Sequence, residues 1–122
     1  MGSTSAEAAA VEQVARDYFE AWYDGDVARM DQALHQDLVK RAAAGGEPGR
    51  LGVTSKDRML ELTDAGEGEA DGADRHLDIE VLDVYGDTAS AVVSSATYHE
   101  HLHLVRGVDG RWRIANALWA LT

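Results

Sequence analysis

The hydrophobic pattern of this chain changes period once, and that change restricts the possible folds more than any other feature. From Ala6 to Asp24 the residues Val11, Val14, Ala15, Tyr18, Phe19 and Trp22 recur at i, i+3, i+4 and i+7, the single stripe of an amphipathic helix. From His76 onward the period is two: Leu77, Ile79 and Val81 alternate with polar partners, then Leu82 and Val84 take over the apolar phase, as a β-bulge produces. Helical and stranded segments are therefore segregated along the chain rather than alternating. That order predicts an α+β domain, with helices packed on one face of a mostly antiparallel sheet.

Punctuation residues divide the two halves further. Gly25 ends the first helix as a C′ residue, and Asp26 caps a second, short helix that turns Val27, Met30, Ala33 and Leu34 inward. Leu38 to Ala44 is read as a short strand, and Ala44 to Gly52, with four glycines and Pro48, as a turn or hairpin. Thr54 or Ser55 caps a third helix carrying Met59, Leu60 and Leu62, which Gly66 stops. Gly66 to Asp74 holds three glycines and four acids and reads as a mobile loop. Gly86-Asp87 then turns the chain between the strand from Leu77 and a strand over Thr88 to Ala96. Tyr98 to Val105 and Arg111 to Leu121 follow, joined across Asp109-Gly110, a type I′ hairpin signal. Three helices and a four-strand meander, curled into a cone, leave a cavity at the open end.

At 122 residues and 45% hydrophobic content, the chain is expected to be one domain with its own core, residues 6–122, preceded by a frayed tail or cloning scar over residues 1–5. Its 22 acidic against 11 basic residues give a net charge of −11, which repels phosphate backbones and anionic lipid heads, so neither nucleic acid nor a membrane surface is an expected partner. The absence of cysteine removes disulfides, thiolate nucleophiles and Cys-based zinc sites. No apolar run reaches the roughly 18 residues of a membrane span, and the first ten residues lack the basic and apolar regions of a secretory signal, so a cytoplasmic location is expected.

With these elements in place, three stretches resemble a known family. They are Tyr18-Phe19-Glu20-Ala21-Trp22-Tyr23-Asp24-Gly25-Asp26 at the end of the first helix, Ala33-Leu34-His35-Gln36-Asp37-Leu38-Val39-Lys40-Arg41, and the run from His101-Leu102-His103-Leu104-Val105 through Asp109-Gly110-Arg111-Trp112-Arg113-Ile114 to Leu118-Trp119. In order and spacing they are similar to the NTF2-like (SnoaL-like) superfamily, and within it to the branch named "putative lumazine-binding" proteins. The resemblance implies a cone of three N-terminal helices on a strongly curved, mostly antiparallel sheet, a deep pocket and frequent homodimers. It also implies a range of members from isomerases, cyclases and dehydratases to proteins without a known reaction.

Pairing the last two strands across Asp109-Gly110 places Tyr98, Glu100, Leu102 and Leu104 on one face with Arg113, Ala115, Ala117 and Trp119. The opposite face then carries His99, His101, His103, Trp112, Ile114, Asn116 and Leu118. In the ketosteroid isomerases of this superfamily, positions matching Trp119, Leu102 and Leu104 line the cavity, which assigns the Tyr98/Glu100/Trp119 face to the interior. Tyr18 matches the phenol that holds an oxyanion in those enzymes. Their general base, however, falls near Ala42 here and their second oxyanion donor near Leu102, neither of which can move or donate a proton.

Glu100 is the leading catalytic candidate, because a carboxylate among Tyr98, Leu102, Leu104 and Trp119 would be desolvated and suited to act as general base or acid; the alternative is an ion pair with Arg113. Tyr18 is the second candidate, stabilising charge on a substrate oxygen. Trp22, one turn from Tyr18, offers a stacking surface, and Met59, Tyr98, Leu102, Leu104 and Trp119 complete the expected ligand-binding set. The reading is a pocket for a small, planar, largely apolar aromatic or polycyclic ligand, with isomerisation, dehydration or cyclisation that needs no cofactor and no metal. The competing reading is a non-catalytic homodimer acting as a binding or protein-interaction module. Under either reading the expected partner is a second copy of the chain, because Trp112, Ile114, Leu118 and Val105 fall together on the convex face. The row His99, His101, His103 lacks a third-ligand motif and reads as surface or dimer contact rather than a metal site. His35 is a candidate proton shuttle at the cavity mouth. Glu67, Glu69, Asp71-Gly72 and Asp78 mimic calcium-ligand offsets only loosely and read as a solvated loop.

Overall fold

A computed structural model of the chain describes residues 2–70 and 72–122. Its elements run α1 (Gly2–Asp24), α2 (Val27–Ala33), β1 (Leu34–Ala42), β2 (Gly52–Ser55), α3 (Lys56–Asp64), a 3-10 turn (Gly72–Arg75), β3 (Leu77–Tyr85), β4 (Thr88–Ser95), β5 (Tyr98–Arg106) and β6 (Trp112–Leu121). The three helices pack on one curved, unclosed six-stranded sheet of order β2-β1-β6-β5-β4-β3. Every neighbouring pair is antiparallel except β1 and β6, which are parallel.

The helix boundaries follow from capping chemistry. Gly25 adopts φ +65°, a left-handed conformation in which an added Cβ would stand 3.3 Å from the Thr63 carbonyl oxygen. Asp26 accepts from the Arg29 amide at 3.1 Å, and Ser55, rather than Thr54, caps α3 by accepting from the Arg58 amide at 3.2 Å. The α1 stripe of Val11, Ala15, Tyr18 and Phe19 is buried against Ala91 and Val93 of β4, Leu102 and Leu104 of β5, and Ile114 and Ala117 of β6. At its other end α1 is tied to the sheet by Glu7, which accepts from the Trp112 indole at 2.7 Å and pairs with Arg106 at 2.9 Å.

The structure corrects the sequence reading of the sheet in three places. The first strand starts at Leu34, four residues before the expected position, and joins the sheet beside β6, and β2 pairs on its outer edge, so the sheet has six strands where a short strand and a four-strand meander were expected. The loop before β6 is also not a two-residue type I′ turn. Among the described residues no non-glycine has a positive φ, so Asp109 cannot take the conformation that turn demands. Instead Gly110 donates to the Gly107 carbonyl at 2.9 Å and alone carries a positive φ, +81°, giving a longer loop with a glycine bulge.

The third correction follows from the second. The longer loop pairs Arg106 with Trp112 and Leu104 with Ile114, and a bulge at Ala115 then restores the pairing of His103 with Asn116 and Glu100 with Trp119. Beyond the bulge the faces are as expected. Before it they are reversed: Trp112 and Ile114 lie in the core at 4% and 0% exposure, while Arg113 points outward to pair with Asp109 at 2.7 Å. The expected convex patch therefore loses its two largest members and keeps Leu118 and half-buried Val105. The bulge expected in β3 is present between Val81 and Asp83.

The expected mobile loop over Gly66 to Asp74 includes Asp71, which lies outside the described residues. Just beyond it, Arg75 donates to the Ala70 and Tyr23 carbonyls at 2.9 and 3.1 Å and pairs with Asp24, which ties Ala70 to the end of α1. No described helix is long and apolar enough to cross a membrane.

The two faces of β6 can be distinguished by truncation. Ile114→Ala should lower the unfolding free energy by about 2–5 kcal/mol, as for a buried aliphatic, and Leu118→Ala by under about 1 kcal/mol, measured by urea denaturation. Equal losses would contradict the position of the bulge.

Candidate functional site

Under α1, at the end of the cone, the sheet and helices enclose a cavity of about 130 Å³. Tyr18, Phe19 and Trp22 enter it from α1, where a spacing of four puts Tyr18 and Trp22 one turn apart. Met59 and Leu62 come from α3 at a spacing of three, and Tyr98 and Glu100 from alternate positions of β5. Trp119 comes from β6, opposite Glu100, and Lys40 and Thr54 come from β1 and β2, where they pair with each other. The Tyr98 ring meets the Trp119 ring edge-on, with centroids 5.2 Å apart.

Three polar side chains form a connected chain in this aromatic wall. Lys40 Nζ donates to Tyr18 Oη at 2.6 Å, and Tyr18 Oη donates to Glu100 Oε1 at 2.9 Å. Glu100 Oε2 lies 3.7 Å from Lys40 Nζ, with the two side chains 2% and 13% exposed. The ammonium group also stands 5.2 and 5.6 Å from the centres of the Tyr18 and Trp119 rings. Burial pushes the Tyr18 phenol well above its ordinary value, and the neighbouring Glu100 carboxylate adds to that shift, so the phenol remains a proton donor. Burial also pulls Lys40 below the ordinary lysine value, against the opposing attraction of Glu100.

Trp22 and Tyr98 have a second role as the partition between this cavity and an open groove of about 720 Å³. The groove is lined on its outer side by Asp24, Glu67, Glu69, Asp74 and Arg75. Gly68 is pressed against Trp22 so closely that a Cβ there would fall 2.4 Å from the indole ring. Only glycine fits that approach without moving the ring.

The sequence profile of the family described as "putative lumazine-binding" matches residues 6–120. The chain belongs to this family. No curated protein matches it in sequence. Among solved structures, an NTF2-like protein of unknown function from Silicibacter pomeroyi is similar with a TM-score of 0.78 at 18% identity, covering 98% of each chain. An NTF2-like protein of unknown function from Shewanella baltica gives 0.74 at 15% identity, covering 97% of this chain and 95% of that one. A ketosteroid isomerase-like protein from Erwinia carotovora atroseptica gives 0.67 at 21% identity, covering 94% and 95%. These likenesses establish the NTF2-like fold.

Within this family member, the cavity brings together six of the eight residues nominated from sequence: Glu100, Tyr18, Trp22, Met59, Tyr98 and Trp119. Leu102 and Leu104 are fully buried beneath it in the core and do not line it. The alternative partner of Glu100, Arg113, is engaged with Asp109, whose carboxyl it holds down to about 2. His35 lines a separate groove and accepts the Asp37 amide at 3.0 Å. His99 meets Ser94 Oγ at 2.8 Å and His101 edge-on, and His103 faces Asn116; among the described residues no three His, Asp or Glu are grouped to hold a metal ion.

Sequence reasoning passed over Lys40, because its place in the site depends on the parallel pairing of β1 with β6. One signal was available. Only two of the chain's 11 basic residues are lysines, Lys40 and Lys56, so a lysine inside a strand was a departure from the chain's own usage.

A buried ion pair is destabilising when one member is removed and close to neutral when both are replaced by apolar groups. Lys40→Met should therefore cost about 3–5 kcal/mol in chemical denaturation, while Lys40→Met combined with Glu100→Leu should recover most of that loss. Additive losses in the double variant would mean that the two side chains do not share one desolvated environment.

Proposed function

We propose that the cavity binds a small, planar, largely apolar molecule carrying an oxygen acceptor, and that Glu100, Tyr18 and Lys40 carry out cofactor-independent acid/base chemistry on it. The observation that supports this reading is the Lys40–Tyr18–Glu100 chain itself. A wall of Trp22, Phe19, Met59, Leu62 and Trp119 would be at least as stable around apolar residues, so a buried ion pair there is better explained by function than by stability.

The geometry suggests separate roles. Glu100 Oε1 is occupied by the Tyr18 hydroxyl, which leaves Oε2 as the oxygen available to take a substrate proton. Lys40 supplies positive charge where negative charge develops on a substrate oxygen, and the single Tyr18 O–H donates there by turning away from Glu100 Oε1. Isomerisation, dehydration and cyclisation all need this combination.

Cavity size restricts the ligand. About 130 Å³ is well below the roughly 300 Å³ at which most small-molecule sites begin, so the closed form suits a single ring. A bicyclic compound such as lumazine would require Trp22, together with the Gly68 backbone packed on its indole, to move toward the groove it shares with the cavity. A homodimer through the convex face, also suggested by the family resemblance, would use Leu118, Val105 and the imidazole row, since Trp112 and Ile114 are internal.

Single-ring aromatic carbonyl compounds titrated against tryptophan fluorescence should quench it with saturation, and Trp22→Ala should shift preference toward bicyclic ligands. Absence of quenching across such a series would sink the pocket reading. Once a turned-over substrate is found, Glu100→Gln should reduce kcat by about a hundredfold or more and Tyr18→Phe by somewhat less. Undiminished turnover in Glu100→Gln would leave the carboxylate a structural part of the wall.

A further inference from the structure

The two lysines of the chain have different surroundings. Lys56 Nζ is surrounded by acceptors, with the Asp31 carbonyl, the Leu34 carbonyl and the Asp31 carboxylate all at 3.0 Å, so its three protons are committed to capping the end of α2. Among the described residues, Lys40 Nζ has one hydrogen bond, to Tyr18, and one carboxylate neighbour, Glu100, at 3.7 Å. It also faces an enclosed space lined by aromatic rings. The other nine basic residues are arginines, which hold charge but cannot surrender it. A lysine at position 40 differs from them in one chemical respect: it can become a neutral amine.

We propose that Lys40 is a nucleophilic amine that forms an imine with a small aldehyde or ketone in the cavity. The hydrogen-bond chain supplies the proton inventory. When the Lys40 ammonium passes a proton to Tyr18 Oη and Tyr18 passes its own to Glu100 Oε1, across contacts of 2.6 and 2.9 Å, the ion pair becomes a free amine and a carboxylic acid. The low dielectric of the cavity reduces the cost of that neutral state, and the desolvated lysine is correspondingly easier to deprotonate.

The amine lone pair then attacks the carbonyl carbon. A C–N bond forms, the π electrons move to the carbonyl oxygen, and one amine proton is transferred to it, giving a neutral carbinolamine. Glu100 returns its proton to the hydroxyl, the C–O bond breaks, and water leaves. The nitrogen lone pair closes the C=N bond, and the product is a protonated imine beside the Glu100 carboxylate. One carbonyl compound is consumed and one water released, with no oxidant or reductant involved. The imine is an electron sink, so the carbon next to it becomes acidic, which suits condensation, retro-aldol and decarboxylation chemistry of small carbonyl substrates as a class.

This inference rests on the proposed ligand-binding role of the cavity, and the experiment separates the two. Native protein is incubated with benzaldehyde and sodium cyanoborohydride, tryptophan quenching is recorded, and the mass of the intact protein and its peptides is measured. The expected result is saturable quenching with one benzyl group reductively fixed on Lys40, faster than on Lys56 or the α-amino group. Lys40→Arg should lose the adduct at position 40, and Glu100→Gln should slow labelling of Lys40 by about tenfold or more while leaving labelling of Lys56 unchanged. Quenching with Lys40 unmodified, or modified no faster than Lys56, overturns the imine and leaves the pocket intact. Neither quenching nor Lys40 labelling overturns both. Comparing two lysines within one wild-type sample keeps the test decisive even if a variant fails to fold.

Discussion

The parallel pairing of β1 with β6 is the interaction on which the rest of this structure depends. It sets Lys40 beside Ala117 and Ala42 beside Trp119, and so brings a segment from the first third of the chain against the last strand. Through β1 it also attaches β2 and places Thr54 opposite Lys40. Without this pairing, the antiparallel strands β3 to β6 would present Tyr98, Glu100 and Trp119 to a half-open trough under α1. With it, the trough gains a fourth wall and a positive charge. Parallel neighbours cannot be joined by a short turn, so the pairing needs the long excursion through α3 and the β3 to β5 meander. That excursion is also what lays Met59 and Leu62 over the cavity.

The polar chain inside the cavity shows how the fold tolerates charge in its interior. Tyr18, Glu100 and Lys40 come from a helix and from two strands that are not neighbours in the sheet, and each satisfies another. The phenol is the central member, accepting from the ammonium and donating to the carboxylate, so no member is stranded without a partner. Such an arrangement holds three side chains in one geometry. It also couples their protonation, because moving a proton at one end changes what the other end must carry.

Local sequence signals were accurate where short-range physics decides the outcome. The stripe from Val11 to Trp22, the caps at Asp26 and Ser55, and the left-handed glycines after α1 and α3 could all be read because each depends on residues within a turn of one another. The β5–β6 hairpin shows the boundary of that method. Asp109-Gly110 suggested a two-residue turn, but the observed loop is longer by a residue and Ala115 bulges to compensate. The two departures cancel, which is why Glu100 shares a face with Trp119 as expected while Trp112 and Ile114 were assigned to the wrong face.

The sequence by itself determined the class of fold, the helix ends, the alternation that puts Glu100 on one face with Tyr98, and the family, because all of these are set by local propensity, by period or by recurring motifs. Only the tertiary structure decided that Glu100 faces Lys40 and not Arg113, that Leu102 and Leu104 belong to the core and not to the cavity, and that Trp22 stands between a small chamber and an open groove. The physical reason is the separation in sequence between the groups involved. Sixty residues divide Lys40 from Glu100, and no spacing rule spans that distance. Their meeting depends on sheet order and register, which are settled when the whole apolar interior is packed at once.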